Sequence, residues 1–149
     1  MQKLSVIIPA ANEAQLISRA LDSVREEHYE PLEVIVVVNG ATDRTAEIAR
    51  TYTDKVLEFS KPLGASRARN EGVKVATGDT LVFMDADSYM NPNLLSEVAG
   101  AAEKNSFGTV LGAPDTKKFL YKVFFFIKNV SHRLGLYKGV LGGVMFCKK

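Results

Sequence analysis

The sequence predicts an α/β fold in which a mostly parallel sheet is flanked by helices. Short, continuous runs of β-branched and apolar residues recur along the chain, and such runs are typical of strands that are buried on both faces. Segments with the apolar spacing of an amphipathic helix separate these runs. Strands and helices that alternate in this way form βαβ units, so neighbouring strands are expected to lie parallel.

The predicted elements follow one another with a turn signal at several boundaries. The predicted strands are residues 4–8, which Pro9 ends, followed by 33–38, 56–59 and 80–84. The predicted helices are residues 14–25, 43–52, 65–76, a segment that begins at Asn91-Pro92, and 116–134. Asn39-Gly40 and Gly78-Asp79 are turn dipeptides, and an Asn-Pro pair suits a helix N-cap followed by the first helical position. We expect the carboxyl ends of the strands to share one edge of the sheet.

Length and composition favour one intracellular globular domain. The chain has 149 residues, of which 46% are hydrophobic and 24% charged, and these values exclude an intrinsically disordered chain. A single cysteine cannot form an internal disulfide, so we expect a reduced, cytoplasmic protein. The apolar run at residues 4–8 is too short for a signal peptide or a membrane span.

Charge divides the chain into two regions. Residues 1–115 carry 11 basic and 17 acidic side chains, whereas residues 116–149 carry 8 basic and no acidic side chains. The second region also holds 7 of the 13 aromatic residues. This break in composition predicts two functional regions within one compact unit.

A pair of aspartates lies at the edge where a parallel sheet is expected to bind its ligand. Asp85 and Asp87 directly follow a predicted strand, and side chains two residues apart in extended chain point to the same side. Two close carboxylates repel unless a cation or a shared proton lies between them, and Mg²⁺ or Mn²⁺ suits such oxygen ligands. The alternative is a solvated pair of turn residues or a helix N-cap.

Arg69 lies within a stripe of small residues. The stripe consists of Ala65, Ala68, Gly72 and Ala76 and favours close packing of a helix on the sheet. Arg69 shares that face, and a guanidinium directed at the sheet requires an anion. The available anions are the two aspartates, a bound phosphate and a nucleobase edge. In the alternative, purely structural interpretation, Arg69 does not bind a ligand and forms a permanent ion pair with Asp85.

Two further polar residues follow strands at this edge. Asn39 suits the turn of an Asn-Gly pair, and its amide is also placed to read a nucleobase. Glu13 suits the first turn of a helix, where the helix dipole favours acidic side chains, and it is also placed to contact a ligand. The sequence contains no Gly-x-Gly-x-x-Gly or P-loop pattern, which disfavours a classical dinucleotide site and a P-loop NTPase.

Four segments together resemble glycosyltransferase family 2. They are, in order, SVIIPAANE, EVIVVVNGATDRTAEIA, GASRARNEGVKVATGDTLVFMDADS and LGGVMFCKK. The resemblance covers essentially the whole chain and implies a GT-A type, Rossmann-like fold. It also implies transfer of a sugar from a nucleoside diphosphate sugar to an acceptor hydroxyl, with inversion. On this basis residues 1–115 form a nucleotide-sugar-binding domain, and residues 116–149 begin an acceptor-binding region.

The same resemblance implies the site residues. Those expected to line the nucleoside pocket are Pro9, Ala10, Ala11 and Glu13. Asn39 stands where family members usually carry a base-contacting aspartate, and Arg69 lies in the Ala-Arg-Asn stretch that meets the nucleotide. Asp85 and Asp87 form the Asp-x-Asp motif, which meets the ribose and holds Mg²⁺ or Mn²⁺ on the diphosphate. This chain departs from the family pattern at Ala11, which replaces an aromatic residue, and at Val38-Asn39-Gly40, which replaces Asp-Asp-Gly.

The general base of the reaction is expected to be absent from this chain. Inversion requires a base that deprotonates the attacking hydroxyl. The resemblance places that carboxylate downstream of the Gly-Gly pair, yet no acidic residue follows Asp115, so we expect the natural chain to continue past Lys149. The alternatives are a catalytically incomplete nucleotide-sugar-binding or membrane-recruitment module, and a nucleotidyltransferase. The segment PAANEAQ lacks the Gly- and Arg/Lys-rich loop of the latter class.

The sequence of residues 116–134 predicts a basic, amphipathic helix, and its segment 117–134 is the expected site of membrane contact. Lys118, Lys122, Asn129 and Arg133 lie along one side, and much of the remainder is apolar. Such a helix suits an anionic membrane surface, a cover for an acceptor cleft, or packing against another part of the protein. The expected acceptors are lipid-linked molecules or polysaccharides, with peripheral contact at the inner membrane face. Nucleic acid is disfavoured, because no binding motif accompanies the basic residues.

Overall fold

The structure is a computed structural model that describes residues 1–115, 118–134 and 144–149. Its strands are β1 (Leu4–Ala10), β2 (Leu32–Asn39), β3 (Val56–Phe59), β4 (Thr80–Met84), β5 (Phe107–Thr109) and β6 (Val144–Lys148). Its helices are α1 (Ile17–Arg25), α2 (Thr45–Arg50), α3 (Ala65–Val75), α4 (Leu94–Lys104) and α5 (Phe119–Arg133). Among the described residues, none of the helices has both the length and the apolar character needed to cross a membrane.

The strands form a mixed sheet in the order β3-β2-β1-β4-β6-β5. The four strands from β3 to β4 are parallel, whereas β6 runs antiparallel to both of its neighbours, β4 and β5. The prediction of a mostly parallel sheet flanked by helices is therefore confirmed. The chain moves outward from β1 to β2 and β3, and then places β4 on the other side of β1. The strand order thus reverses between β1 and β4, where such sheets bind ligands.

The central strands are buried on both faces. Val6 and Ile8 of β1 belong to a core that also contains side chains of α1, α2 and α4. Ile7, which points to the opposite face, belongs to a second core that includes Ala68 of α3. This burial on two sides explains why the strands are continuous apolar runs rather than alternating patterns.

Two predicted boundaries near the amino terminus are wrong. Pro9 does not end β1, which continues to Ala10. Pairing of β1 with β4 stops at Ile7, so Pro9 has a ladder partner on the β2 side alone and its missing N–H is tolerated. α1 begins at Ile17 rather than at residue 14, after a turn in which the carbonyl of Glu13 accepts the N–H of Ile17 at 2.9 Å.

The carboxyl-terminal elements also differ from the predictions. Asn91-Pro92 does not begin α4, because Asn93 adopts a left-handed conformation (φ 70°) and the helix starts at Leu94. Strands β5 and β6 were not predicted. α5 lies within the predicted helix at 116–134, of which residues 116–117 are outside the described residues. The Gly-Gly pair of LGGVMFCKK is also outside them.

α3 packs closely on β1 and β2 through its small residues. Ala68, Gly72 and Ala76 are buried. A methyl group placed on Gly72 would lie 2.5 Å from Ile7 Cγ2 and 3.2 Å from Val37 Cγ2. The distance between this helix and the sheet therefore depends on the absence of a side chain at Gly72.

Glu33 connects several segments at the amino-terminal edge of the sheet, which lies opposite the edge where the strands end. Its buried carboxylate accepts hydrogen bonds from Ser5 Oγ, Lys55 Nζ, the Thr77 N–H and hydroxyl, and the Gly78 N–H. Burial opposes ionisation of Glu33, but the hydrogen bonds from Lys55, Ser5 and Thr77 outweigh it and lower its pKa to about 2. The charged carboxylate thus joins the start of β2 to the segment that leads into β4.

We predict that Gly72→Ala lowers the free energy of unfolding by about 1–3 kcal/mol, because the added methyl group overpacks the contact with Ile7. Gly100→Ala is a matched control, since a methyl group at Gly100 of α4 would meet no atom within 4 Å. That control should raise stability by about 0.5–1 kcal/mol through helix propensity. Urea unfolding at pH 7 measures both changes, and equal stabilisation by the two substitutions would contradict the close packing of α3.

We predict that Glu33→Gln lowers the free energy of unfolding by about 3 kcal/mol at pH 7. The folded pKa, about 2, lies below the ordinary value of 4.5, so the charged form stabilises the fold above pH 4.5. This contribution decreases as the pH falls from 4.5 towards 2, and the two proteins should converge there. Urea unfolding across that range measures the difference. Glu58→Gln, at an exposed ion pair with Arg50, should change stability by less than about 1 kcal/mol.

Candidate functional site

The candidate site lies at the carboxyl edge of β1, β2 and β4. The residues that follow these three strands are 11–13, Gly40 and Asp85–Asp87, and the parallel arrangement brings them to one side of the molecule. β1 is the central strand of the three, and the reversal of strand order lies beside it. The structure therefore brings the residues predicted from Pro9 to Glu13 to the same edge as the Asp-x-Asp motif.

Hydrogen bonds join the loop after β1 to the loop after β2. Asn12, in a left-handed conformation with φ 56°, accepts hydrogen bonds at Oδ1 from the Thr42 N–H (2.8 Å) and hydroxyl (3.2 Å). The N–H of Glu13 donates to Thr45 Oγ1 at 2.8 Å, and the N–H of Ala14 donates to an oxygen of Asp43 at 3.1 Å. The two loops therefore form one connected wall of the site.

Asp43 and Thr45 are functional candidates that the sequence analysis missed. Thr45 is fully buried, and its hydroxyl and N–H both donate to Asp43 Oδ1. The hydrogen bond from the Thr45 hydroxyl is the main cause that lowers the pKa of Asp43. The available signal was an aspartate at the first residue of the helix predicted over 43–52, since an Asp near the start of a helix favours an Asx turn.

Negative charge accumulates at this edge. Glu13 is partly buried, and its pKa is raised, first by that burial and then by the negative charges of Asp87 and Asp43. Asp87 is exposed. A cation or a positively charged ligand group bound near these carboxylates would relieve their repulsion.

Arg69 forms an ion pair with Asp85, as the structural alternative predicted. Its Nη2 donates to Asp85 Oδ1 at 2.5 Å, and the two side chains are 21% and 41% exposed. The Nε of Arg69 is buried and has no acceptor among the described residues. Ala65, at the start of the small-residue stripe, is exposed rather than packed on the sheet.

Asn39 holds the loop between β3 and α3. Its side chain is buried, and its Oδ1 accepts the N–H of Leu63 at 2.5 Å. A backbone N–H can only donate, so the amide orientation of Asn39 is determined by this bond, and its Nδ2 has no partner within the described part of the chain. Gly40 follows with φ 69°, and a methyl group there would lie 2.6 Å from the nitrogen of Pro62.

The three apolar residues predicted to line the nucleoside pocket differ in exposure. Ala10 is buried with 2% of its surface exposed, Pro9 is partly buried, and Ala11 is exposed. Of these three, Ala11 therefore presents the most surface to a molecule at this edge. A cavity of about 500 Å³ lies at the opposite, amino-terminal edge of β2, next to α1, and is lined in part by His28, Tyr29 and Lys55. It is separated by the length of β2 from the acidic edge.

Comparison with known proteins decides the family. The sequence model of glycosyl transferase family 2 matches residues 5–135. The chain belongs to glycosyltransferase family 2. YibD, an uncharacterized glycosyltransferase of Escherichia coli K12, is 38% identical over 96 residues, which are 62% of this chain and 28% of YibD. TarS of Staphylococcus aureus, a poly(ribitol-phosphate) β-N-acetylglucosaminyltransferase, is 30% identical over 119 residues, 74% of this chain and 21% of TarS.

Solved structures share the fold with this family 2 chain. The crystal structure of TarS residues 1–349 in complex with UDP-GlcNAc has a TM-score of 0.70 and 26% identity, and covers 78% of this chain and 36% of that one. The mannosyltransferase PcManGT of Pyrobaculum calidifontis, in complex with GDP-Man and Mn²⁺, has a TM-score of 0.76 at 24% identity over 97% of this chain and 44% of that one. The predicted GT-A fold is confirmed, and the chain spans less than half the length of these relatives.

The candidate site fits a divalent cation that is held partly by the protein and partly by a bound substrate. Asp87 is exposed, and Asp85 gives one oxygen to Arg69, which leaves its second oxygen available. In the described residues, no three carboxylate, histidine or cysteine side chains are grouped so that they could hold a metal ion by themselves. Mg²⁺ and Mn²⁺ commonly bind one or two carboxylates together with substrate phosphates, so this donor set is compatible with them.

We predict that Thr45→Val lowers the free energy of unfolding by about 1–3 kcal/mol, since it removes the hydrogen bond from the Glu13 N–H, which joins the two loops, and the bond to Asp43 within the loop after β2. It should also raise the pKa of Asp43 towards 3.8, the ordinary value. Urea unfolding and an NMR titration of the carboxyl carbon measure these changes. Thr51→Val, at an exposed threonine whose hydroxyl donates to the carbonyl of Ile48 at the end of α2, is the control and should stay within about 0.5 kcal/mol. Equal effects of the two changes would contradict a special role for Thr45.

Proposed function

We propose that this chain is the donor-binding part of a glycosyltransferase that uses a nucleoside diphosphate sugar. The observation that carries the proposal is the meeting of Asp85, Asp87 and Glu13 at the reversal of strand order between β1 and β4. Membership of glycosyltransferase family 2 supports it. The complex of TarS with UDP-GlcNAc supports a donor of the same chemical class for this chain.

We propose the following roles for the residues of the site. Pro9, Ala10, Ala11 and Glu13 line the nucleoside pocket. Asn39 faces the base, and the free Nδ2 left by its bond to Leu63 is a donor for that contact. Arg69 orients Asp85 through its guanidinium, so that the carboxylate keeps a fixed position for the ribose.

The charge at the site suits the leaving group of the reaction. Breaking the bond to the anomeric carbon leaves negative charge on the diphosphate. A Mg²⁺ or Mn²⁺ ion held by Asp87 and Asp85 would supply electrostatic stabilisation of that charge. The chain itself fixes the position of the Asp85 carboxylate through the ion pair with Arg69. The hydrogen bond between Thr45 and Asp43 fixes the neighbouring loop after β2.

We propose that transfer proceeds with inversion, and that the acceptor is a lipid-linked molecule or a polysaccharide. Residues 1–115 bind the donor, and residues 116–149 begin the acceptor side. Residues 116–149 contain no acidic side chain, so this segment offers no carboxylate to act as the general base. The proposed location is the cytoplasmic face of a membrane, where the basic segment 117–134 makes peripheral contact.

We predict that the chain binds UDP, GDP or one of their sugars more tightly with Mn²⁺ than without it. Asp87→Asn should weaken metal-dependent binding about 10- to 100-fold, the loss expected for one charged contact. Calorimetry with each nucleotide, with and without Mn²⁺, measures the effect. Asp22→Asn, at an exposed aspartate on α1, is the matched control and should bind as the wild type does. Absence of binding to every nucleotide, or binding unaffected by Asp87→Asn, would refute the proposal.

A further inference from the structure

α5 carries an exposed apolar surface. Leu120, Phe119 and Phe126 are 80%, 75% and 69% exposed, and Ile127 is 57% exposed. A soluble surface rarely leaves so many large apolar side chains adjacent to one another in water. The surface therefore requires an explanation beyond the packing of this chain.

The apolar residues lie on the side of α5 that faces away from the rest of the chain. On the inner side, Asn129 Nδ2 donates to the carbonyl of Gly112 at 3.0 Å, and the Phe125 ring lies next to the same glycine. The outer side contains a seam with spacings of three and four residues. It consists of Leu120, Val123, Ile127, Val130 and Leu134. Residues with this spacing form a continuous stripe along a helix.

Basic side chains border the seam on both sides. By helical geometry, Lys122 and Arg133 lie on one side and Lys128 on the other, each about 100–120° around the helix from the seam. Lys128 Nζ is held 4.6 Å from the centre of the Phe125 ring. Long basic side chains in these positions can extend from an apolar surface to negatively charged head groups.

The charge distribution favours an anionic lipid surface over a second copy of the chain. Residues 116–149 contain no acidic side chain, so two copies that met through α5 would bring basic residues together without a partner. An anionic bilayer provides both an apolar layer and negative charge. The 15 residues of α5 are fewer than the roughly 20 of a spanning helix, which favours an orientation along the surface.

We infer that α5 lies in the plane of an anionic membrane, with the seam inserted below the head groups and the flanking lysine and arginine side chains at the phosphates. The inference deepens, and rests on, the membrane location proposed above, but it is independent of donor binding. The contact surface is the outer side of α5, and the acidic edge of the sheet plays no part in it.

The chain contains no tryptophan, so a single one reports on insertion. We predict that the fluorescence of the full chain carrying Ile127→Trp shifts to shorter wavelength when vesicles with 30% phosphatidylglycerol are added. Val75→Trp, at a half-exposed valine of α3, should show no shift. Co-sedimentation with the same vesicles should fall at least tenfold for Ile127→Glu and remain unchanged for Val75→Glu. Circular dichroism confirms that each variant is folded.

Four outcomes would overturn the inference. They are no sedimentation of the wild type, equal sedimentation with purely neutral vesicles, unchanged sedimentation of Ile127→Glu, and a dimer in light scattering that Ile127→Glu dissolves while vesicles bind nothing. The double substitution Lys122→Gln and Arg133→Gln should weaken binding to anionic vesicles and leave any binding to neutral vesicles unchanged.

Calorimetry with UDP and GDP is performed on the same samples to measure nucleotide binding separately. Loss of nucleotide binding with retained vesicle binding would refute the proposed donor site and leave the membrane inference standing.

Discussion

The close approach of α3 to the sheet is the constraint on which the site depends. Gly72 allows the helix to rest directly on Ile7 and Val37. Arg69 lies one turn earlier in the same helix, so that approach brings its guanidinium to the carboxyl edge and within reach of Asp85. A helix displaced outward by one methyl group would separate this pair. The position of a charged group at the site is thus determined by packing in the apolar core.

The two edges of the sheet have opposite effects on the pKa of a carboxylate: it is lowered at Glu33 and raised at Glu13. At the amino edge, Glu33 is surrounded by donors, and its charge stabilises the fold. At the carboxyl edge, the pKa of Glu13 is raised, first by partial burial and then by the negative charges of Asp87 and Asp43, so its ionisation is less favourable. Such local unfavourable energy is typical of functional sites, where residues are arranged for a ligand rather than for stability. The amino edge of the sheet therefore stabilises its carboxylate, whereas the carboxyl edge holds carboxylates whose ionisation is less favourable.

Much of this arrangement could be predicted from the sequence, because it depends on local pattern. The apolar runs of β1 and β2 indicate two-sided burial, and the position of the Asp-x-Asp pair directly after β4 follows from the end of an apolar run. Other features depend on tertiary contacts. β5 has only three residues and pairs with a strand far along the chain, and the start of α4 depends on the left-handed Asn93. Arg69 had several possible anions in the sequence, and only the packing of α3 shows that Asp85 is within its reach.

The bonds between the loops after β1 and β2 also affect the entropy of binding. Asn12 with Thr42, and Glu13 with Thr45, fix these loops when the chain folds. A ligand that enters the site therefore does not have to order them, and its affinity is not reduced by that loss of conformational freedom. Binding should consequently protect the whole fold against unfolding, with little change in the local motion of this wall.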